Sequence, residues 1–332
     1  MHRPLIFTGN ANRLLAEKIA YHLGVTLGRA LVSTFKDGET QVDVGESVRE
    51  GDVFIIQPTC PPVNNNLMEL LLMMDAMGRA SAHRMTAVIP YYGYSRQEKR
   101  SKGREPISAK LVANLMAAAG ADHVLTVDLT APAIEGFFDI PVDNLGAGRI
   151  LAEYCLKNFS LRDAVVVSPD VGGVNRANKF RQMIGTQAKL AVVFKEHPEA
   201  ETIEMMGMVG EVKGKTAIIV DDIISTGMTL TKAAELLIER GASKVYACAT
   251  HPVFAEGAVE RINDSVIERV LVTDSIPVPK DQCGAKIKVT SVASLLADAI
   301  ISIHEGRTMA DLYKKLKARP IEGKGGNDAL SR

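Results

Sequence analysis

Short apolar runs alternate along this chain with segments whose apolar residues recur every three or four positions. The runs Leu5–Thr8, Val53–Gln57, Met85–Ile89, His123–Val127, Ala164–Ser168, Leu190–Phe194, Thr216–Val220, Val245–Ala249 and Val270–Val272 predict strands. Several are unbroken and rich in Val and Ile, the pattern of strands covered on both faces. The periodic segments Asn12–Leu23, Asn66–Ala80, Ala109–Ala119, Gly173–Met183, Thr229–Arg240 and Ser291–His304 predict helices, with a further short one at Met309–Lys317. This alternation predicts an α/β protein built on mainly parallel sheets flanked by helices.

The pattern also repeats. Gly51-Asp52-Val53-Phe54-Ile55-Ile56 matches Gly214-Lys215-Thr216-Ala217-Ile218-Ile219, and each run leads through a polar loop and a helix into a second strand. The offset of roughly 160 residues is about one domain, which predicts two similar α/β domains meeting near residue 147. Chance likeness between two strand–loop–helix–strand units is the competing reading. The chain's 332 residues fit two cores better than one. The polar, Gly-rich stretch after Pro320 reads as a tail.

Composition narrows the function classes. Lys+Arg and Asp+Glu balance at 39 each, so bulk charge points to neither nucleic acid nor an anionic membrane. Cys60, Cys155, Cys248 and Cys283 are scattered without a C-x-x-C pair, which argues against a zinc site or a disulfide scaffold. The first residues carry no signal-peptide pattern, and the most apolar helical stretch, Leu67–Met77, is too short to span a bilayer. The expected location is the cytoplasm.

The sharpest chemical signal is Ile218-Ile219-Val220-Asp221-Asp222-Ile223-Ile224-Ser225-Thr226-Gly227-Met228-Thr229. A strand runs into two adjacent carboxylates, then a Ser/Thr/Gly loop, then a helix. A helix N-terminus presents unpaired N–H groups and suits a phosphate. Carboxylates at a strand end suit sugar hydroxyls or Mg²⁺. The bland alternative is a capping cluster with turn acids. A second segment, Pro90–Lys110, places five cations between Arg96 and Arg104, as would a loop closing over a polyphosphate or a merely solvated basic loop.

The 218–229 segment resembles the ribose-phosphate binding loop of type I phosphoribosyltransferases and ribose-phosphate pyrophosphokinases. Other segments select the second family. Pro90-Tyr91-Tyr92-Gly93-Tyr94-Ser95-Arg96-Gln97-Glu98-Lys99-Arg100 resembles its flexible catalytic loop, and Phe35-Lys36-Asp37-Gly38-Glu39 its adenine-binding segment. Val127-Asp128-Leu129, Gly136–Leu145 and Ser168-Pro169-Asp170-Val171-Gly172-Gly173 match as well. The resemblance runs from Phe7 to about Tyr313.

This resemblance implies two phosphoribosyltransferase-like domains. Residues 1–146 would form the nucleotide side, with the flexible loop at 91–106, and residues 147–304 the ribose 5-phosphate side. Residues 305–319 would return to the first domain, and 320–332 would be a flexible tail. It implies transfer of the β,γ-diphosphate of ATP to the 1-hydroxyl of ribose 5-phosphate, with Mg²⁺ as cofactor, in a homo-oligomer, usually a hexamer. Asp37, Glu39, Arg96 and Gln97 would hold ATP, partly from a neighbouring subunit. Asp128, Thr130 and Asp170 would serve Mg²⁺. Lys195 would be the catalytic lysine, assisted by Arg96, Lys99 and Arg100. Asp221, Asp222 and Ser225, Thr226, Gly227, Met228 and Thr229 would hold ribose 5-phosphate, with His197 nearby. Ser47, Arg49 and Arg104 match regulatory positions.

Three residues depart from the family pattern. Thr130 stands where the family usually has a metal-binding His, His197 where it has Arg, and Met228 where it has Gly. They keep a regulatory paralogue, associating with an active synthetase, as the alternative to an enzyme; a shifted, phosphoribosyltransferase-like activity is the third reading. Gly210–Thr216 imitates a phosphate-binding P-loop but is one residue short and precedes its strand, so it reads as a turn. Met68, Met73, Met74 and Met77 read as core.

Overall fold

The computed structural model describes residues 3–161, 163–185, 187–196, 205–279, 281 and 283–318. Among them, contacts divide the chain into two compact units. The first takes the chain up to Gly146 together with Ser275–Pro277 and Ser291–Ala318; the second takes Ala147–Asp274 and Val278–Thr290.

The first unit opens with β1 (Leu5–Thr8), α1 (Arg13–Leu23), β2 (Ala30–Thr34), β3 (Thr40–Val44), β4 (Asp52–Ile56) and α2 (Val63–Arg79). It continues through β5 (Arg84–Ile89), α3 (Ser108–Ala118), β6 (His123–Val127), a 3-10 helix (Pro132–Phe137) and β7 (Val142–Leu145). Strands β1, β4, β5, β6 and β7 pair in that order, all parallel. Val53, Phe54, Ile55 and Ile56 of β4 are fully buried, as a strand covered on both faces requires. Strands β2 and β3 form a separate antiparallel hairpin with Ala30 opposite Val44.

The second unit runs α4 (Gly148–Asn158), β8 (Ala164–Ser168), α5 (Val174–Ile184), β9 (Lys189–Glu196), β10 (Met205–Val209), β11 (Thr216–Ile224) and α6 (Met228–Glu239). Then come β12 (Lys244–Pro252), α7 (Ala258–Asp264), β13 (Arg269–Thr273) and β14 (Ile287–Thr290). Its sheet is ordered β10-β9-β8-β11-β12-β13-β14, with only the β9–β10 pairing antiparallel. The parallel run β8-β11-β12-β13-β14 repeats the first unit's β1-β4-β5-β6-β7. In both units an antiparallel strand pair follows the helix after the sheet-forming strand that opens the repeat: β2–β3 after β1 and α1, β9–β10 after β8 and α5.

The last helices, α8 (Ala293–His304) and α9 (Met309–Ala318), belong to the first unit. The sequence reading placed the return at residue 305, but it begins at Ser291. The reason is α1. Asn12 caps that helix, its side chain accepting from Leu15 N at 3.2 Å, and Leu15, Ala16, Ile19 and Ala20 form an apolar face. Helix α8 packs on α1 and buries Leu295, Leu296, Ala299, Ile300 and Ile303. Helix α4, which follows the first unit's last strand, packs on α5 of the second. Each unit thus acquires the helix that follows the other unit's last strand. The tail 320–332 lies outside the described residues.

Polar bonds fix α8. Asp52, at the start of β4, accepts from Arg84 Nε at 2.7 Å and lies 2.6 Å from His304 Nδ1. Arg84 Nη2 also donates to the Ile303 carbonyl at 3.0 Å. Met73, Met74 and Met77 are core as expected, whereas Met68 is 48% exposed. Among the described residues, no helix is long and apolar enough to cross a membrane.

Replacing Asp52 with Ala removes the acceptor shared by Arg84 and His304. The expected cost is about 2–3 kcal/mol, read as a lower urea midpoint with an unchanged m value.

Candidate active site

In the second unit the polar residues gather where parallel strands end. Strand β11 continues past the apolar run through Asp221 and Asp222, with Asp221 opposite Ala249 of β12. Asp222 is buried, and its N–H donates to Asp221 Oδ1 at 2.9 Å. Arg176 of α5 spans both acids: Nη1 lies 3.0 Å from Asp221 Oδ1 and Nη2 2.9 Å from Asp222 Oδ2. Burial, then the neighbouring Asp222, push the Asp221 carboxyl well above the usual carboxylate range, and Arg176 opposes that shift.

The loop after β11 is held from one side. Phe254 N donates to Ile224 O at 3.0 Å and Ala255 N to Ser225 O at 2.9 Å, while Arg261 Nη1 donates to the Thr226 carbonyl. Gly227 turns the chain into α6 with φ of 75°, a left-handed conformation that favours glycine. Helix α6 has no side-chain cap, so its first-turn N–H groups present an anion-binding end. Thr226 and Thr229 are exposed beside it. Met228 occupies the first helical position, 46% exposed, and its N–H makes only a 3.5 Å contact with Thr226 Oγ1.

The loop after β8 is equally built. Ser168 Oγ donates to Asp170 O, and Gly173 N donates to Asp170 Oδ1, both at 2.7 Å. A Cβ on Gly173 would meet Ser168 Oγ at 2.8 Å, so a side chain there would push the loop apart. Asp170 is exposed at the turn.

The first unit carries its own strand-end cluster. Asp128 follows β6 with φ of 41° and donates its N–H to Leu145 O at 2.8 Å. Leu129 N donates to Asn144 Oδ1 at 3.1 Å, and Thr130 Oγ1 donates to Ser95 O at 2.9 Å. A cleft of about 570 Å³ is lined by Val63, Asn64, Tyr91, Tyr94, Arg96 and Gln97. Gly93 makes the bend behind it: its N–H donates to Thr59 Oγ1 at 2.7 Å, and a Cβ would lie 2.3 Å from the Thr59 carbonyl.

Residues 4–120 match the N-terminal domain of ribose phosphate pyrophosphokinase, and residues 198–314 match the phosphoribosyl synthetase-associated domain. The chain is 54% identical over 308 residues to the ribose-phosphate pyrophosphokinase of Caldanaerobacter subterraneus, covering 93% of this chain and 97% of that protein. It is 49% identical to the enzyme of that name from Oceanobacillus iheyensis, covering 93% and 96%. The crystal structure of phosphoribosylpyrophosphate synthetase from Mycobacterium smegmatis superposes with a TM-score of 0.87 at 40% identity, covering 92% of this chain and all of that one. The chain belongs to the ribose-phosphate pyrophosphokinase family.

The positions singled out from the family pattern fall into separate places. Arg96 and Gln97 line the first unit's cleft, whereas Asp37 and Glu39 sit at the exposed tip of the β2–β3 hairpin and are not among its lining residues. Lys99 and Arg100 are exposed on the 91–106 loop, Lys99 lying 3.4 Å from Glu98. Ser47 and Arg49 are exposed after β3, and Arg104 is exposed with φ of 66°. Lys195 lies on β9 opposite Met206. His197 is outside the described residues. Arg176 was not singled out from sequence; two adjacent acids, one buried and one half-buried, however, demand a cation, and Arg176 in the first turn of α5 is the nearest one after the Ser168–Gly173 loop. Val63 and Asn64 were missed too, because nothing local marks a helix start as the wall of a cleft.

Replacing Arg176 with Met leaves two adjacent carboxylates uncompensated. The expected loss is about 2 kcal/mol, below the range for fully buried pairs because the guanidinium side chain is 31% exposed. A carboxyl whose folded pKa is raised contributes stability at low pH and loses it as pH rises through that folded value. The deficit of the variant should therefore be larger at high pH than at low pH, as urea midpoints measured across the pH range will show.

Proposed function

We propose that this chain is an active ribose-phosphate diphosphokinase, converting ATP and ribose 5-phosphate to phosphoribosyl pyrophosphate and AMP. The observation that carries this reading is the paired acids Asp221 and Asp222 running into a Ser/Thr/Gly loop at an uncapped helix, in a chain 54% identical to a ribose-phosphate pyrophosphokinase. The regulatory-paralogue reading has no comparable observation in its favour.

In this reading the second unit, from residue 147, is the ribose side. Asp221 and Asp222 hold the sugar hydroxyls, and Ser225 to Thr229 hold the 5-phosphate with the first-turn N–H groups of α6. Thr226 and Thr229 add hydroxyl donors. Met228 is compatible with this role, since a first helical residue needs no glycine conformation. Residues 1–146 are the nucleotide side, where Arg96 and Gln97 bind the adenine nucleotide in their cleft. Asp37 and Glu39, on a hairpin tip, serve the adenine of a neighbouring subunit in a homo-oligomer, a hexamer by family likeness. Ser47, Arg49 and Arg104 form a regulatory anion site, and the protein works in the cytoplasm.

The 1-hydroxyl oxygen attacks the β-phosphorus of ATP, the bond from that phosphorus to the α,β-bridging oxygen breaks, AMP leaves, and the hydroxyl proton goes to solvent. Positioning and charge neutralisation supply most of the acceleration in such transfers. Lys195, Arg96, Lys99 and Arg100 provide the cations, and His197 is assigned to substrate binding by family likeness. Asp128 serves Mg²⁺ on the first unit and Asp170 on the second, directly or through water. These are hard oxygen donors few in number, which fits an ion that is held by one or two carboxylates plus phosphates and water. When bound, Mg²⁺ neutralises phosphate charge.

Purified protein with ATP, Mg²⁺ and ribose 5-phosphate should give stoichiometric AMP and a new C1-diphosphate resonance by ³¹P NMR. Lys195→Ala should lower kcat roughly 100- to 1000-fold, the usual effect of removing one transition-state donor. No turnover by wild-type protein that still binds ATP would sink the enzyme reading.

A further inference from the structure

We infer that Thr130 is a positioning residue whose hydroxyl latches the 91–106 loop to the segment that carries Asp128. The assignment rests on the proposed nucleotide side, but its geometry stands independently.

The stems of the loop are tied to each other and to the end of β4. Tyr92 Oη donates to Ala109 O at 2.9 Å, Ser108 Oγ to Gln97 Oε1 at 2.6 Å, and Gly93 N to Thr59 Oγ1 at 2.7 Å. None of these bonds reaches the Asp128 segment. The bond from Thr130 Oγ1 to Ser95 O, 2.9 Å, does. Both ends of it are well placed. Ser95 is 2% exposed, so its carbonyl sits where water solvates it poorly and loss of a donor is costly. Thr130 hangs from a pinned post, because Asp128 N is held by Leu145 O and Leu129 N by Asn144 Oδ1. A β-branched side chain has few rotamers, which keeps the hydroxyl aimed.

Beyond Ser95 the loop changes character. Residues 99–107 are exposed, and Ser101 N and Lys102 N both donate to Glu105 Oε2, at 2.8 and 2.9 Å, closing a turn on itself. The latch therefore sits where the anchored stem gives way to the exposed turn, one residue before Arg96. Through it, the residue proposed to serve Mg²⁺ and the arginine proposed to bind nucleotide share one mechanical connection. A threonine in this place supplies a tie, not a metal ligand.

Trypsin reads the latch directly, since Arg96, Lys99, Arg100, Lys102 and Arg104 all lie on the loop. On metal- and nucleotide-free protein, Thr130→Val should be cleaved there roughly five- to tenfold faster than wild type, the effect of one lost hydrogen bond on local opening. Cleavage elsewhere should be unchanged, and Thr130→Ser should restore the wild-type rate. In turnover, Thr130→Val should lower kcat by a similar factor and leave the ribose 5-phosphate KM and the half-saturating Mg²⁺ concentration in place. Should the valine variant not fold, Thr130→Ala supplies the same comparison. Unchanged loop cleavage overturns the inference, and a raised Mg²⁺ requirement with unchanged cleavage assigns Thr130 to the metal instead. Absence of turnover in wild type would remove the proposed activity while the cleavage comparison still decides the latch.

Discussion

A parallel sheet covered on both faces has almost nowhere to put a polar side chain except past the ends of its strands. The acid clusters of both units follow from that constraint. Val165, Val166 and Val167 of β8 and Ile218 and Ile219 of β11 are fully buried, so their strands can turn polar only at Ser168 and at Asp221. Asp128 obeys the same rule after β6, and Arg96 and Gln97 follow β5. The helices that must cover the sheets begin at those same ends. Uncapped helix starts and carboxylates are thereby brought together without any dedicated scaffold.

The two units use one topology for different purposes. With Gly51 aligned to Gly214, Pro58 and Thr59 of the first unit fall where the second has Asp221 and Asp222. Thr59 spends its hydroxyl on the backbone N–H of Gly93, a structural task. Asp222 instead meets the guanidinium of Arg176. In one unit the strand end supports the bend behind a cleft; in the other it is a charged cluster balanced by Arg176.

Much of this was legible in the chain itself, and the misses have physical causes. Buried strands announce themselves, and Leu5–Thr8, His123–Val127 and Ala164–Ser168 coincide with β1, β6 and β8. Strands β2 and β3 are half-exposed and contain no fully buried run, β7 and β14 are short edge strands, and α7 is a single pair of turns between polar residues. Such elements are fixed by neighbours and not by their own pattern. The ends of β11 and β12 extend past their apolar runs because pairing continues through Asp221 and His251. The acids were visible as a motif, whereas Arg176 was not, since its meaning comes only from which helix lies beside β11.

The exchange of helices between the units has a consequence for synthesis. A chain emerging from the ribosome completes α4 before α5, so the second unit's helix pair can close as soon as its second member appears. The first unit is in the opposite position. Leu15, Ala16, Ile19 and Ala20 are made about 270 residues before the helix that covers them, α8. The N-terminal unit therefore keeps an open apolar face until α8 has been made.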